Sequence, residues 1–296
     1  MDKALIILAP GGLGNQLFAV AAALHISEKN NQHILLISDN RELVSAFRKK
    51  SINEGSQHRV RIVYSRKLSL WLNQLSGRLL ILSRKFPTLE KFFAQKFPTE
   101  QLPWRFPYSL LETPNSNFWI LRGYFQDINL LRDLSTSNKQ IFARLFEVGT
   151  TSECSGEDGV PNLLGLHIRR GDYLSIPSYG VLSIPYFHRL TSRYRRENTL
   201  VMVASDDSSI LEQFIATGSE VLLDARTYSP FETMKKLGKS DIFLMSNSTF
   251  SFWIGWIVNM RGGLVIKPNP WFKASEVPEK FLLWDNFVEV ASEFEK

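Results

Sequence analysis

Residues 161–173, PNLLGLHIRRGDY, hold the side chains best suited to chemistry. Leu163, Leu164, Leu166 and Ile168 form a short apolar run that reads as a buried strand, and two adjacent arginines break out of it beside a histidine, a glycine and an aspartate. Paired guanidinium groups at a strand end are poor packing material and good anion ligands. Each presents a planar fork of donors that meets a phosphate or carboxylate bidentately, and each stays charged wherever it sits. Gly171 removes a side chain where a ligand or another backbone has to come close. His167, Arg169, Arg170 and Asp172 are therefore candidates for an anion pocket, with a diphosphate as the leading ligand. The structural alternative is an ion pair between one arginine and Asp172. The two coexist if one arginine grips phosphate while the other pairs with Asp172 and fixes the turn.

Three other clusters carry polar chemistry. GGLGNQLF (11–18) offers Gly12, Gly14 and Asn15 at a glycine turn that opens a helix, where backbone N–H groups approach an anionic or sugar ligand. Leu17 stands where a dinucleotide fingerprint needs its third glycine, which weakens an NAD reading although Asp39 follows the second strand. A plain tight turn is the structural reading. Asp206 and Asp207 in SDD suit contacts to nucleotide hydroxyls or to the arginines better than a metal, because adjacent carboxylates on a loop diverge and no third ligand is near in sequence. In SNST (246–249), Ser248 or Thr249 suits a helix N-cap, and a phosphate would use the same donors.

The elements that must position these groups follow from the hydrophobic pattern. A strand at 5–8, a helix at 16–29 and a strand at 33–38 make an opening βαβ unit. The stretch 41–115 reads as helical and basic, 118–127 as a strand and 129–146 as a helix. After a polar linker at 148–160, strands at 163–168, 199–205, 220–224, 241–246 and 263–268 alternate with helices at 185–196, 208–217, 230–239 and 250–260. This predicts an α/β protein with a Rossmann-like second half, split into domains 1–150 and 151–296. Ligands of open parallel sheets bind at the carboxyl ends of the strands, and RRGD, SDD and SNST all fall there.

Bulk properties exclude several classes. Of the 296 residues, 44% are hydrophobic and 22% charged, an ordinary globular balance. One cysteine, Cys154, rules out an intrachain disulfide and fits a reducing compartment, and five scattered histidines give no zinc spacing. The uncharged stretch 4–24 is interrupted by Pro10, Gly11, Gly12 and Gly14, so it is neither a membrane span nor a signal peptide. A cytoplasmic location is expected. The net charge of +6 is uneven, since 59–96 holds nine Lys/Arg against one acid, Glu90. Leu68, Trp71, Leu72, Leu75, Leu79 and Leu82 recur there at helical spacing. That basic amphipathic helix is read as a solvated domain face, with a peripheral membrane contact through 59–96 as the functional alternative and nucleic acid a third reading.

In order along the chain, GGLGNQLF, LRGYFQD (121–127), HIRRGDY, SDD and SNSTFSFWIGW (246–256) resemble the motifs of the α-1,2-fucosyltransferases of glycosyltransferase family 11. The resemblance implies a GT-B architecture, two Rossmann-like domains facing a central cleft. It implies GDP-β-L-fucose as co-substrate, no metal or resident cofactor, and inverting transfer to the 2-hydroxyl of a galactoside, with a lipid-linked glycan as one form of acceptor. By position, it makes Arg169 the β-phosphate anchor, completed by His167, Arg170 and Asp172. Asn15 reaches the reacting end of the donor, Asp241 lies where relatives hold the guanine, and Ser248, Thr249 and Phe250 line the diphosphate. His167 and Asp172 are the motif's candidates for the base. Ala19 and Val20 replace the family's usual glutamine and tyrosine, and Phe252 its usual tryptophan. On residues alone, an NAD-dependent oxidoreductase and a non-catalytic nucleic-acid-binding protein are the rival readings.

Overall fold

The computed structural model describes residues 5–52, 59–68, 71, 74, 120–147, 163–214, 220–274, 284 and 286–295. The chain divides into two compact units, Met1–Leu145 and Phe146–Lys296. The predicted linker at 148–160, Cys154 with it, and most of the basic segment lie outside the described residues.

In the first unit, β1 (Leu5–Leu8), α1 (Leu13–Asn30), β2 (Ile34–Ser38), α2 (Arg41–Ile52), β3 (Val60–Tyr64) and β4 (Ile120–Arg122) are followed by α3 (Ile128–Arg132) and α4 (Thr136–Leu145). The strands form a parallel sheet in the order β3-β2-β1-β4. α1 is apolar on most of its circumference, and Ala19 to Ala23 are fully buried, as expected of a helix hydrophobic all round. It ends at Asn31, whose left-handed backbone (φ 52°) closes the last turn.

Two expectations for this unit change. Residues 60–64 form a strand rather than part of a basic helix. In VRIVY, Val60 and Ile62 point into the core and Arg61 points out, the period of two that a half-buried strand shows. Residues 66–68, 71 and 74 are helical, with Leu68 and Trp71 exposed. The single helix expected at 129–146 is two, because Asp133 ends α3 and the Ser135 hydroxyl accepts the Asn138 N–H (3.2 Å) to start α4.

The second unit contains β5 (Leu163–Ile168), α5 (Ile184–Tyr194), β6 (Leu200–Ser205), β7 (Glu220–Asp224), α6 (Pro230–Leu237), β8 (Ile242–Leu244), α7 (Thr249–Met260), β9 (Leu264–Asn269) and β10 (Val288–Ala291). Short 3₁₀ turns occupy Gly171–Ser175 and Ser208–Phe214, the latter where a longer helix was expected. Serine caps set the helix starts: Ser183 for α5, Ser229 with Glu232 in a reciprocal capping box for α6, and Ser248 for α7. The core lies between the sheet and the helices, with Leu164, Leu166, Val203, Tyr186 and Phe187 buried together.

All pairings in this sheet are parallel, in the order β10-β9-β8-β5-β6-β7. Counted within the unit, that is the Rossmann order 3-2-1-4-5-6, whose switch point falls between β5 and β8. β10 escapes the hydrophobic pattern because this edge strand is mostly exposed. The first unit, ordered 3-2-1-4, has its own switch point between β1 and β4.

Candidate active site

At the switch point of the second sheet, the polypeptide leaves β5 at Ile168 and β8 at Leu244. The Arg169 N–H donates to the Ser246 hydroxyl (3.2 Å), which also lies 3.3 Å from Nδ1 of His167. With the serine accepting from Arg169, its own proton goes to Nδ1, a role inferred from the network. His167 is 4% exposed, and its ring packs tilted on Phe250 at 4.9 Å. Burial, and then the Arg169 charge, push its pKa down from 6.5 to about 3. A neutral, enclosed imidazole of that kind braces the two loops and is a poor proton acceptor. Of the two base candidates in the motif, Asp172 is the exposed one.

Arg169 is the centre of the cluster. Its guanidinium pairs with Asp172 Oδ1 (2.5 Å) and Asp206 Oδ2 (2.5 Å) and lies over the Tyr173 ring at 5.4 Å. Its Nε is buried and, among the described residues, has no hydrogen-bond acceptor. Gly171 makes this possible: a Cβ there would sit 2.4 Å from Asp206 Oδ2. Tyr173 O–H donates to the Asn247 carbonyl (2.9 Å), and the Asn247 amide donates to the Tyr179 and Gly180 carbonyls. The RRGD turn is thereby tied to the start of α7. Ser248 accepts the Ser251 N–H (3.1 Å), while Thr249 and Phe250 follow half-buried in the first turn.

Arg170 behaves differently. Its N–H donates to Asp206 Oδ1 (2.8 Å), its Nε donates to Asp207 Oδ2 (3.1 Å), and its Nη1 pairs with Glu295. The pairing of Asp172 with the supporting arginine is corrected in partner. The i,i+3 geometry of the 3₁₀ turn gives Asp172 to Arg169, and Arg170 takes Asp207 and Glu295 instead. Asp207 is further held by Ser209, whose hydroxyl, ahead of Arg170, lowers the carboxyl pKa.

Asp241 is not brought to this cluster. It precedes β8, at the amino end of the sheet, where its carboxylate accepts the Leu163 N–H (3.0 Å) and its carbonyl accepts the Leu264 N–H (2.8 Å). It fastens the start of β5 and β9 around β8.

At the first unit's switch point, Gly11 (φ +82°) turns the chain from β1, and Gly12 caps α1. A Cβ on Gly11 would sit 2.6 Å from Asn15 Nδ2 and 3.1 Å from the Tyr124 ring, whereas one on Gly12 would meet nothing within 4 Å. Gly14 is buried inside α1. Gln126 donates its amide to Asn15 Oδ1 (2.9 Å). Gln16 donates to the Gly11 carbonyl (2.9 Å) and to Asp39 Oδ1 (2.5 Å), and accepts from Ser38 (2.6 Å). Asp39 thus stitches β2 to the glycine turn through Oδ1.

The glycosyl transferase family 11 model matches residues 84–282, two thirds of the sequence. The chain belongs to glycosyl transferase family 11. This glycosyltransferase is 26% identical over 300 residues to the O-antigen biosynthesis glycosyltransferase WbnK of Escherichia coli, a match covering 88% of this chain and 93% of the relative. It is also 26% identical to an alpha-1,2-colitosyltransferase of Escherichia coli, covering 92% and 96%. Solved structures that resemble it include fucosyltransferase NodZ from Bradyrhizobium (13% identity, TM-score 0.44, 87% of this chain and 93% of that one). POFUT1 in complex with GDP is another (10% identity, TM-score 0.44, 90% and 98%). Ser246, Tyr173, Gln126 and Tyr124 lie inside the family 11 motifs, but their residue types alone assign them no role. Glu295, far from every motif, carried no signal at all.

Proposed function

We propose that this glycosyltransferase moves L-fucose from GDP-β-L-fucose to the 2-hydroxyl of a galactoside, with inversion to an α-1,2 linkage, in the synthesis of a bacterial surface glycan. The observation that carries the reading is Arg169 at the β5/β8 switch point, beside the start of α7, with a buried Nε that lacks an acceptor among the described residues. An unmet buried donor is costly, and a phosphate oxygen is the ligand that would satisfy it. The second unit is then the donor side, with Arg169, Ser248, Thr249 and Phe250 toward the diphosphate and Asp206 and Asp207 fixing the arginines. The first unit is the acceptor side, and Asn15, aimed by Gln126, serves the reacting end of the sugar.

In this reaction the acceptor oxygen forms a bond to the anomeric carbon as the bond to the β-phosphate oxygen breaks. The acceptor hydroxyl loses a proton and GDP departs. Negative charge grows on the β-phosphate, and Arg169 with the N-terminal N–H groups of α7 stabilises it there, so the transfer needs no divalent ion. Asp172 is the carboxylate of the motif free to reach solvent for the proton.

A second reading is transfer of colitose, which is fucose without its 3-hydroxyl. The alpha-1,2-colitosyltransferase relative supports it. The test is a glycan acceptor screen run with both sugar nucleotides in EDTA. Fucosyl product on a galactoside 2-hydroxyl is expected, colitosyl product alone would exchange the first reading for the second, and loss of product in EDTA would overturn the metal-free assignment. A peripheral contact with anionic membrane is also proposed, supported by exposed Leu68 and Trp71 within the basic segment. No helix among the described residues is long and apolar enough to cross a membrane.

A further inference from the structure

We infer that Glu295 is a positioning residue of the donor site, acting through Arg170. The two are 125 positions apart in sequence, yet the Arg170 guanidinium pairs with the Glu295 carboxylate on one side and with Asp207 on the other. Arg170 is only 14% exposed, so a change at either carboxylate is felt by a largely enclosed cation.

The segment that delivers Glu295 is firmly placed. Beyond β10, the Ser183 N–H donates to the Glu293 carbonyl (2.7 Å), and the Glu295 N–H donates to the Val181 carbonyl (2.7 Å). These two bonds flank an antiparallel bridge between Leu182 and Phe294. The Phe294 ring fills the space over Gly180, where a Cβ would lie 2.6 Å from it, and Lys273 Nζ donates to the Glu295 carbonyl (2.9 Å). Backbone, ring and lysine together fix where the carboxylate sits, before it meets Arg170.

Its consequence reaches Arg169 through one shared group. Asp206 accepts the Arg170 N–H with Oδ1 and pairs with Arg169 through Oδ2. Glu295 and Asp207 together keep the Arg170 guanidinium turned away from Asp206, which leaves Oδ2 for Arg169. Without Glu295, Arg170 has one carboxylate fewer and competes for Asp206, and Arg169 loses the partner that sets its orientation.

This inference rests on the donor reading above, and the experiment separates the two. GDP is titrated calorimetrically into the full chain, Glu295→Ala, Glu295→Gln, Arg170→Ala and the double variant Arg170→Ala/Glu295→Ala. Glu295→Ala should weaken GDP binding about tenfold and Glu295→Gln, which keeps an acceptor oxygen, about threefold. In the Arg170→Ala background, removing Glu295 should change the affinity by less than about twofold. A merely structural role would lower the melting temperature equally in both backgrounds and leave the affinity unmoved. Should Glu295→Ala fail to fold, the isosteric Gln variant carries the test. Wild-type affinity in a folded Glu295 variant, or an undiminished loss without Arg170, overturns the inference while the donor reading stands. Absence of GDP binding by the unmodified chain overturns both.

Discussion

Replacing Arg169 by alanine removes the cation proposed to face the leaving diphosphate and abandons the two carboxylates that bracket it. Loss of one preorganised donor to a developing oxyanion costs about 2.7–4 kcal/mol. Asp172 and Asp206 then stand uncompensated where a polyanion must bind. At an effective dielectric near 20, unit charges ~4 Å apart repel by ~4 kcal/mol. The Asp172 side chain is 62% exposed and can turn into solvent, which cuts the surplus to about 1 kcal/mol. The sum predicts a fall in kcat/KM of about 10³-fold, most of it in kcat. Lysine keeps the charge but not the fork that spans two partners, so Arg169→Lys should lose about 10²-fold. Adding Asp206→Asn to Arg169→Ala should recover about fivefold by removing the repelling charge that cannot turn into solvent. Initial rates with GDP-fucose and a galactoside acceptor, with circular dichroism to confirm folding, make the measurement. A folded Arg169→Ala variant within about threefold of wild type would refute the assignment. A double variant slower than the single would refute the electrostatic account.

Asn15→Ala and Gln126→Ala should each lower kcat by about tenfold while leaving GDP affinity unchanged in calorimetry, since both act in the first unit; weakened GDP binding would contradict the division of roles. His167 gives a signed pH prediction. Its folded pKa of about 3 lies below its ordinary 6.5, so the unfolded chain binds the extra proton between those values. Stability is therefore complete above pH 6.5 and declines as pH falls toward 3, by up to about 1.4 kcal/mol per pH unit. Thermal melts at pH 7 and pH 5 should show a smaller acid loss in His167→Asn, whose side-chain oxygen still accepts from Ser246; an identical loss would exclude His167 as its source. Flotation with anionic liposomes at low salt should carry the protein upward and Trp71→Ser should reduce this, whereas no flotation would dispose of the membrane contact.

How legible the molecule is in its sequence depends on how local each signal is. The strand-turn-helix at Gly11 and the arginine-bearing end of β5 are local, because a positive φ requires glycine and charged forks do not end buried strands without cause. The parallel pairings of the buried strands β5 to β9 likewise follow from apolar runs between capped helices. β10 is illegible because an exposed edge strand has no hydrophobic period, and α3 and α4 merge on paper because only the Ser135 cap divides them. Partner choice is the hardest to read. Asp172 stands near both arginines in sequence, and only the 3₁₀ geometry hands it to Arg169. Asp241 shows the same limit: its residue type suits a ligand, but the strand direction puts it at the amino end of the sheet.

The two switch points also have a kinetic side. The pairing that creates the first joins Ile6 to Ile120, a separation of 114 residues, and the one that creates the second joins Leu164 to Ile242, a separation of 78. Closing long loops costs conformational entropy before any contact repays it, and parallel pairings are intrinsically slow to form. The strands that lead into Asn15 and Arg169 are therefore the ones whose partners arrive from farthest along the chain. Until those pairings close, β1 and β5 present apolar edges to neighbouring chains, a liability during synthesis at high concentration. Catalytic competence in this glycosyltransferase is therefore expected late in folding, and a slow-folding variant is expected to lose soluble yield before it loses specific activity.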